Sequence, residues 1–342
     1  MKVKFNIFYC ILCIFFSTIS SANNFQYAKL IDNLNSDKTK ETSSNSRKEE
    51  WVKLAYLVGL DGKTTDIHVI HSSGSKPHIK SAVKYIRNFR FSPATLNGRA
   101  VESSKTFLMV YDKSFFGSNN DGISVGFSKR YEEINRLLAE KKFKNVDEQL
   151  KILVETNTRN LTEQAISAWL HAIYYYQTSQ WHEYGHQVVV ANILRDYLPT
   201  KMAITTAQNL LTWQMYIHEY TGALNTLDSL RNIKNANISD ETYQKMRTPI
   251  LSTIKGNTEI ERSKELKKNN IWVYPVTRSE LAISVTSGSI EVAQLRCNNG
   301  VQSLSIAAQF KASVPAHYLQ CDLLIKGELN SVIKVRESGL IH

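Results

Sequence analysis

The sequence predicts a multidomain α+β protein: a small β-β-α-β unit, an all-α helical-repeat region, and a small C-terminal antiparallel β sandwich or barrel. Three observations carry this. Apolar residues alternate over residues 52–69 and then switch to a helical period. From 128 to 268 glycine is scarce and the helical period persists. From Ile271 onward, short β-branched runs are separated by turn residues. A chain of 342 residues also exceeds the usual size of one core, and 10% aromatics supply apolar bulk for several.

In the first unit Val52, Leu54, Tyr56, Val58 and Leu60 share one face, with Lys53, Ala55 and Gly59 on the other, as a half-buried strand requires. Asp61-Gly62 suits a tight hairpin turn, and Thr65, Ile67 and Val69 form the return strand. Ser75 and Pro77 then open a helix whose buried face is Ile79, Ala82, Val83, Ile86 and Phe89, stopping near Arg90. Ser92-Pro93 and Asn97-Gly98 are turn signals, and Thr106 to Tyr111 reads as a third strand.

These residues carry a resemblance. Val58-Gly59-Leu60-Asp61-Gly62-Lys63, Ser72-Ser73-Gly74, Ala82, Phe89-Arg90-Phe91-Ser92-Pro93-Ala94 and Asn97-Gly98-Arg99-Ala100-Val101 together resemble the C-terminal domain of TonB proteins. The resemblance implies a domain over 49–113 that binds a partner by adding a strand to a free sheet edge, as TonB proteins grip outer-membrane transporters. It puts that edge on the last strand: Lys105, Thr106, Phe107, Leu108, Met109, Val110 and Tyr111. The family's Pro-rich spacer is absent from this sequence.

Lys2 and Lys4, the apolar run Phe5 to Phe16 and the small residues Ser20-Ser21-Ala22 predict an export signal over 1–22, too short to span a bilayer. Its removal takes two lysines and no acids, lowering the net charge from +11 to +9. These charges are spread out, which points to a solvated basic surface rather than nucleic-acid binding. Membrane contact is expected only if the signal stays uncleaved. Cys10 and Cys13 leave with the signal, so Cys297 and Cys321 remain, an even pair that predicts a disulfide contributing about 3 kcal/mol by the chain-entropy model. Residues 23–48 read as a flexible polar leader, and 114–127, with Gly117 and Gly122, as a linker.

Within 128–268 a repeat is visible. Phe143, Val146, Leu150 and Leu153 correspond to Trp181, Tyr184, Val188 and Ala191, and again to Tyr220, Ala223, Leu227 and Leu230. Each set lines one helix face and follows another amphipathic helix (131–139, 165–176, 203–216). The units resemble degenerate tetratricopeptide repeats of longer period, closed by a capping helix from about Ser239 to Lys268. In 271–342 the expected strands are Leu281–Thr286, Ile290–Cys297, Gln302–Ala307, Tyr318–Lys326 and Ser331–Arg336.

Catalytic signals are thin. His182-Glu183-Tyr184-Gly185-His186 matches the HExxH zincin pattern, but Tyr184 belongs to a buried helix face, which turns both histidines outward, and a zinc enzyme needs a third ligand. His218 lies on another helix, and His68 and His71 fall on opposite faces of a strand. The phosphate-loop, dinucleotide and GxSxG patterns are absent. The sequence therefore predicts a non-enzymatic, periplasmic protein-binding adaptor without metal or cofactor, whose partner is a protein or peptide of the cell envelope. A TonB-type energy transducer and, further off, a zinc metallohydrolase are the alternatives.

Overall fold

The computed structural model describes residues 24–33, 48–111, 122–256, 258–267 and 270–342; the expected signal, most of the leader and the centre of the linker lie outside them. The chain opens with two short strands, β1 (Phe25–Gln26) and β2 (Lys29–Asn33), and continues through β3 (Glu50–Val58), β4 (Thr64–Ser72), α1 (Lys76–Arg87), β5 (Phe89–Ser92), β6 (Ala94–Leu96), β7 (Arg99–Val101) and β8 (Ser103–Tyr111). β1 pairs with β6 and β2 with β5. This corrects the expectation of a flexible leader from residue 23. The backbone groups of β5 and β6 need partners, and Ala28 and Phe25 join the core of this unit.

The predicted β-β-α-β path is present, with β3 central in the order β4-β3-β8. Val52, Leu54, Tyr56 and Val58 face Ala82 and Ile86 of α1. Fully burying Leu54 or Ile86 is worth about 2 kcal/mol each. At the hairpin, Gly62 has φ +74°, and a Cβ there would lie 2.0 Å from the Phe91 carbonyl oxygen. The close approach lets Phe91 N–H donate to Gly62 O at 2.9 Å, which ties the turn to β5. Ser75 does not cap α1 through its side chain. Its Oγ–H instead donates to Glu50 Oε2 at 3.1 Å, beside the buried His78, which is also hydrogen-bonded to Glu50.

Among the described residues seven α-helices follow: α2 (Val125–Ala139), α3 (Phe143–Ile152), α4 (Leu161–Gln177), α5 (Trp181–Ile193), α6 (Thr200–Tyr216), α7 (Tyr220–Arg231) and α8 (Asp240–Lys255). Three helix pairs share one turn. Lys141, Ser179 and His218, 38 and 39 residues apart, all have left-handed φ. The next residue in each case (Lys142, Gln180, Glu219) donates its N–H back five residues, to Leu137, Tyr175 and Gln214. The predicted apolar faces are buried, except that Phe143 is half-buried and Trp181 is 42% exposed. Pro249 sits inside α8 rather than breaking it. Glu163, fully buried, forms a capping box with Asn160 at the start of α4 and also accepts from Ser124 N–H at 2.8 Å.

The expected capping helix ends earlier than Lys268. Gly256 terminates α8, and β9 (Ile260–Glu265) alternates buried and exposed residues. It is followed by β10 (Ile271–Pro275), β11 (Arg278–Ser287), β12 (Ile290–Cys297), β13 (Gly300–Ser303), β14 (Gln309–Ser313), β15 (Asp322–Gly327) and β16 (Val332–Ile341). Two four-stranded antiparallel sheets, β10-β15-β12-β13 and β14-β11-β16-β9, share one core, and no barrel closes. The third expected strand begins at Gly300 and is shorter, the fourth begins at Asp322, and β10 and β14 are additional.

The three parts are packed together. Glu49, just before β3, donates its N–H to Arg159 O at 2.7 Å, and its carboxylate accepts from Leu161 N–H at 2.7 Å, the first residue of α4. Trp51, on the sheet face away from α1, enters the core of the first helices. On that same face, β10 lies against β4, and β12 and β13 lie against β8. Arg296 crosses this junction: it is 1% exposed and pairs with Asp66 of β4 at 2.5 Å.

Candidate partner-binding edge

The two outer strands of the β4-β3-β8 sheet differ. β8 runs beside β3 through nine consecutive pairs, Glu50↔Tyr111 to Val58↔Ser103, without a register shift. β4 shows two register shifts against β3, and Asp66 within it has φ +45°. Bulged, twisted edges disfavour a further strand, and regular ones invite it. The rim of β4 is also approached by α5, where the His71 and His186 rings stand 6.3 Å apart. Among the described residues, β3 is the only strand paired with β8.

The seven residues expected at the edge divide by side chain. Lys105 places its ammonium 5.8 Å from the centre of the Phe91 ring, and burial lowers its pKa. Thr106 is exposed. Phe107 packs edge-on to Phe89 at 5.5 Å, and Met109 and Tyr111 are buried in the same core. The Tyr111 hydroxyl donates to His78 O at 2.8 Å. Leu108 and Val110 face the other way, against the helical core around Trp51. The backbone of 105–111 is therefore an edge, while the side chains of 107–111 anchor it.

A cavity of about 350 Å³ lies at the Ser104–Thr106 end. Ser104 and Thr106 point to the opposite side of the strand from Lys105, so a groove lined by all three follows the rim rather than either face. Its far side is Arg296, Asn298, Gln320 and Asp322, and Tyr27 borders it from the connection between β1 and β2. Sequence reasoning did not assign these six flanking residues, counting Ser104. Apart from Ser104, which belongs to β8, they come from three remote stretches, and only the folding-back of the C-terminal sheets brings them together. Asp322 is raised to about 6 by burial, partly offset by Lys53, whose own pKa burial lowers. Cys297 and Cys321 form the expected disulfide, one step beyond the Arg296↔Asp322 pair of β12 and β15.

The HExxH residues serve the helix. Tyr184 is buried, and Trp213 lies so close over Gly185 that a Cβ there would be 2.3 Å from its ring. His182 and His186 are exposed. Burial, with Lys53, His186 and Lys264 nearby, holds His71 down at about 3. The His218 ring is hydrogen-bonded to Glu261 O at 3.3 Å. Among the described residues no three His, Cys, Asp or Glu side chains are grouped so as to hold a metal ion.

With the sheet order, the helix across it and the motif residues in place, comparison with known families is decisive for one part of the chain. Residues 43–111 match the family described as Gram-negative bacterial TonB protein C-terminal. The match takes in β3 to β8 with α1 and leaves β1, β2, α2 to α8 and the C-terminal sheets outside. TonB C-terminal domains interact with proteins at the cell envelope and are in general not enzymes. No curated protein matches the chain. Among the described residues no helix is long and apolar enough to cross a membrane.

Proposed function

We propose that this protein is a non-enzymatic, periplasmic adaptor that takes an extended segment of a protein partner as an added strand beside β8. The observation that supports this most is the contrast between the edges: β8 keeps one register for nine residues and has a groove at its Ser104–Thr106 end, whereas β4 is bulged. Strand addition draws its affinity from main-chain hydrogen bonds and its selectivity from the pockets flanking alternate side chains. The helix pairs, read as tetratricopeptide-like, offer a second binding surface.

The test places a photoreactive benzoylphenylalanine at Thr106 in the full chain, with Lys80 on the exposed side of α1 as control. Crosslinks from Thr106 and not from Lys80, mapping to one extended segment of an envelope protein, support the reading. Equal labelling from both positions overturns it. An energy transducer of the TonB type is the second reading, favoured by the basic and apolar run Lys2 to Phe16 should it anchor the chain. N-terminal mass spectrometry separates the two, because a chain starting at Asn23 cannot be anchored through that run.

A further inference from the structure

The groove beside β8 has a second wall that a TonB-like domain alone does not possess. That wall is the end of β12 and the start of β15. Arg296, Asn298, Gln320 and Asp322 are the immediate neighbours of Cys297 and Cys321, so the disulfide sits at the centre of the wall. Further bonds knit the two loops: Asn298 N–H donates to Leu319 O at 2.9 Å, Asn299 Oδ1 accepts from Leu319 N–H at 2.7 Å, and the Asn298 and Gln320 side chains are hydrogen-bonded to each other. Arg296 is held by Asp66, and Asp322 faces Lys53. Gln320, exposed and with φ +48°, and the partly exposed Asn298 are the uncharged amides left on this side.

From this we infer that the C-terminal β domain forms the specificity wall of the partner slot, with Asn298 and Gln320 reading polar side chains of the bound strand and the Cys297–Cys321 bond fixing their position. The inference rests on strand addition at β8 and adds a class of ligand: an extended peptide whose wall-facing residues are polar. An apolar strand gains less from this wall, because it would cover Asn298 Oδ1 and Gln320 Nε2, the amide groups outside their mutual hydrogen bond, without pairing them. Reduction of the disulfide loosens the centre of the wall, leaving the β12–β15 ladder and β8 in place.

The experiment uses the full, oxidised chain with benzoylphenylalanine placed singly at Thr106, Asn298 or Gln320. The expected result is one partner segment crosslinked from all three positions. Asn298→Ala combined with Gln320→Ala should lower the Thr106 crosslink at least fivefold, with the disulfide intact by mass and circular dichroism unchanged; Cys297→Ser with Cys321→Ser should lower it likewise. A Thr106 crosslink with none from Asn298 or Gln320, or with a different segment there, overturns the wall and leaves strand addition standing. No crosslink from Thr106 removes strand addition and this inference with it.

Discussion

Replacing Arg296 with methionine probes how firmly the C-terminal sheets are fastened to the TonB-like sheet. The guanidinium is buried, bonds Asp66 Oδ2 at 2.5 Å and Asp66 O at 3.2 Å, and donates through Nε to Gln294 at 2.8 Å. Unit charges about 4 Å apart interact by about 4 kcal/mol at an effective dielectric of 20. The Asp66 side chain is 33% exposed, so water screens part of this, leaving about 2 kcal/mol for the pair. Arg296→Met therefore costs about 3 kcal/mol, counting the lost backbone contact. Asp66→Asn costs at least as much, because it leaves the buried Arg296 charge without its carboxylate, even though asparagine tolerates the left-handed backbone at this site. The assay is a double-mutant cycle by urea unfolding of full-length protein, followed by the fluorescence of Trp272 and Trp51. A coupling energy under about 0.5 kcal/mol would refute the claim that this pair joins the two sheets.

Other outcomes follow from the same geometry. Asp322 has a folded pKa of about 6, above its ordinary value, so its contribution is favourable at low pH and is lost as pH rises through 4 to 6. Asp322→Asn should gain on the order of 2–3 kcal/mol at pH 7 and nothing below pH 4, read from urea midpoints against pH. His71, depressed to about 3, has the opposite sign: stability present above about pH 6.5 is lost as pH falls, and His71→Gln should flatten that acid limb. Gly62→Ala, which combines a left-handed φ with a clash against Phe91 O, should cost at least about 2 kcal/mol in the same assay. Calorimetry with zinc should show no saturable binding that His182→Ala removes; tight binding lost in that variant would reinstate the metallohydrolase.

Legibility in the sequence followed the range of the interactions. The β3–β4 hairpin and α1 could be read because alternation, Asp61-Gly62 and the helical spacing from Ile79 are local signals. The repeat showed through buried positions such as Val146, Val188 and Leu227, whose spacing the helix itself imposes. β1 and β2 were illegible because they pair with β6 and β5 some sixty residues away, and only Phe25 and Ala28 betray a buried side. β9 was hidden by Arg262, Lys264 and Glu265, charged residues that look helical until β16 pairs with them and Arg262 is seen over the Tyr274 ring at 4.4 Å. β14, whose partner β11 covers one side only, has few buried residues to announce it. Of the candidate site, the outer strand β8 was legible through the family motif, but the facing residues were not, since nothing local links Thr106 to Gln320.

The Glu49 anchor has a mechanical corollary. A pull on a strand lodged beside β8 is carried in shear by the nine-pair ladder to β3, and Glu49, the residue just before β3, is clamped by Arg159, Leu161 and Gln164. Tension therefore enters the stacked helices at the head of α4 rather than running out through the amino-terminal segment. The helical array becomes the stiff member against which any tugging on the partner is resisted.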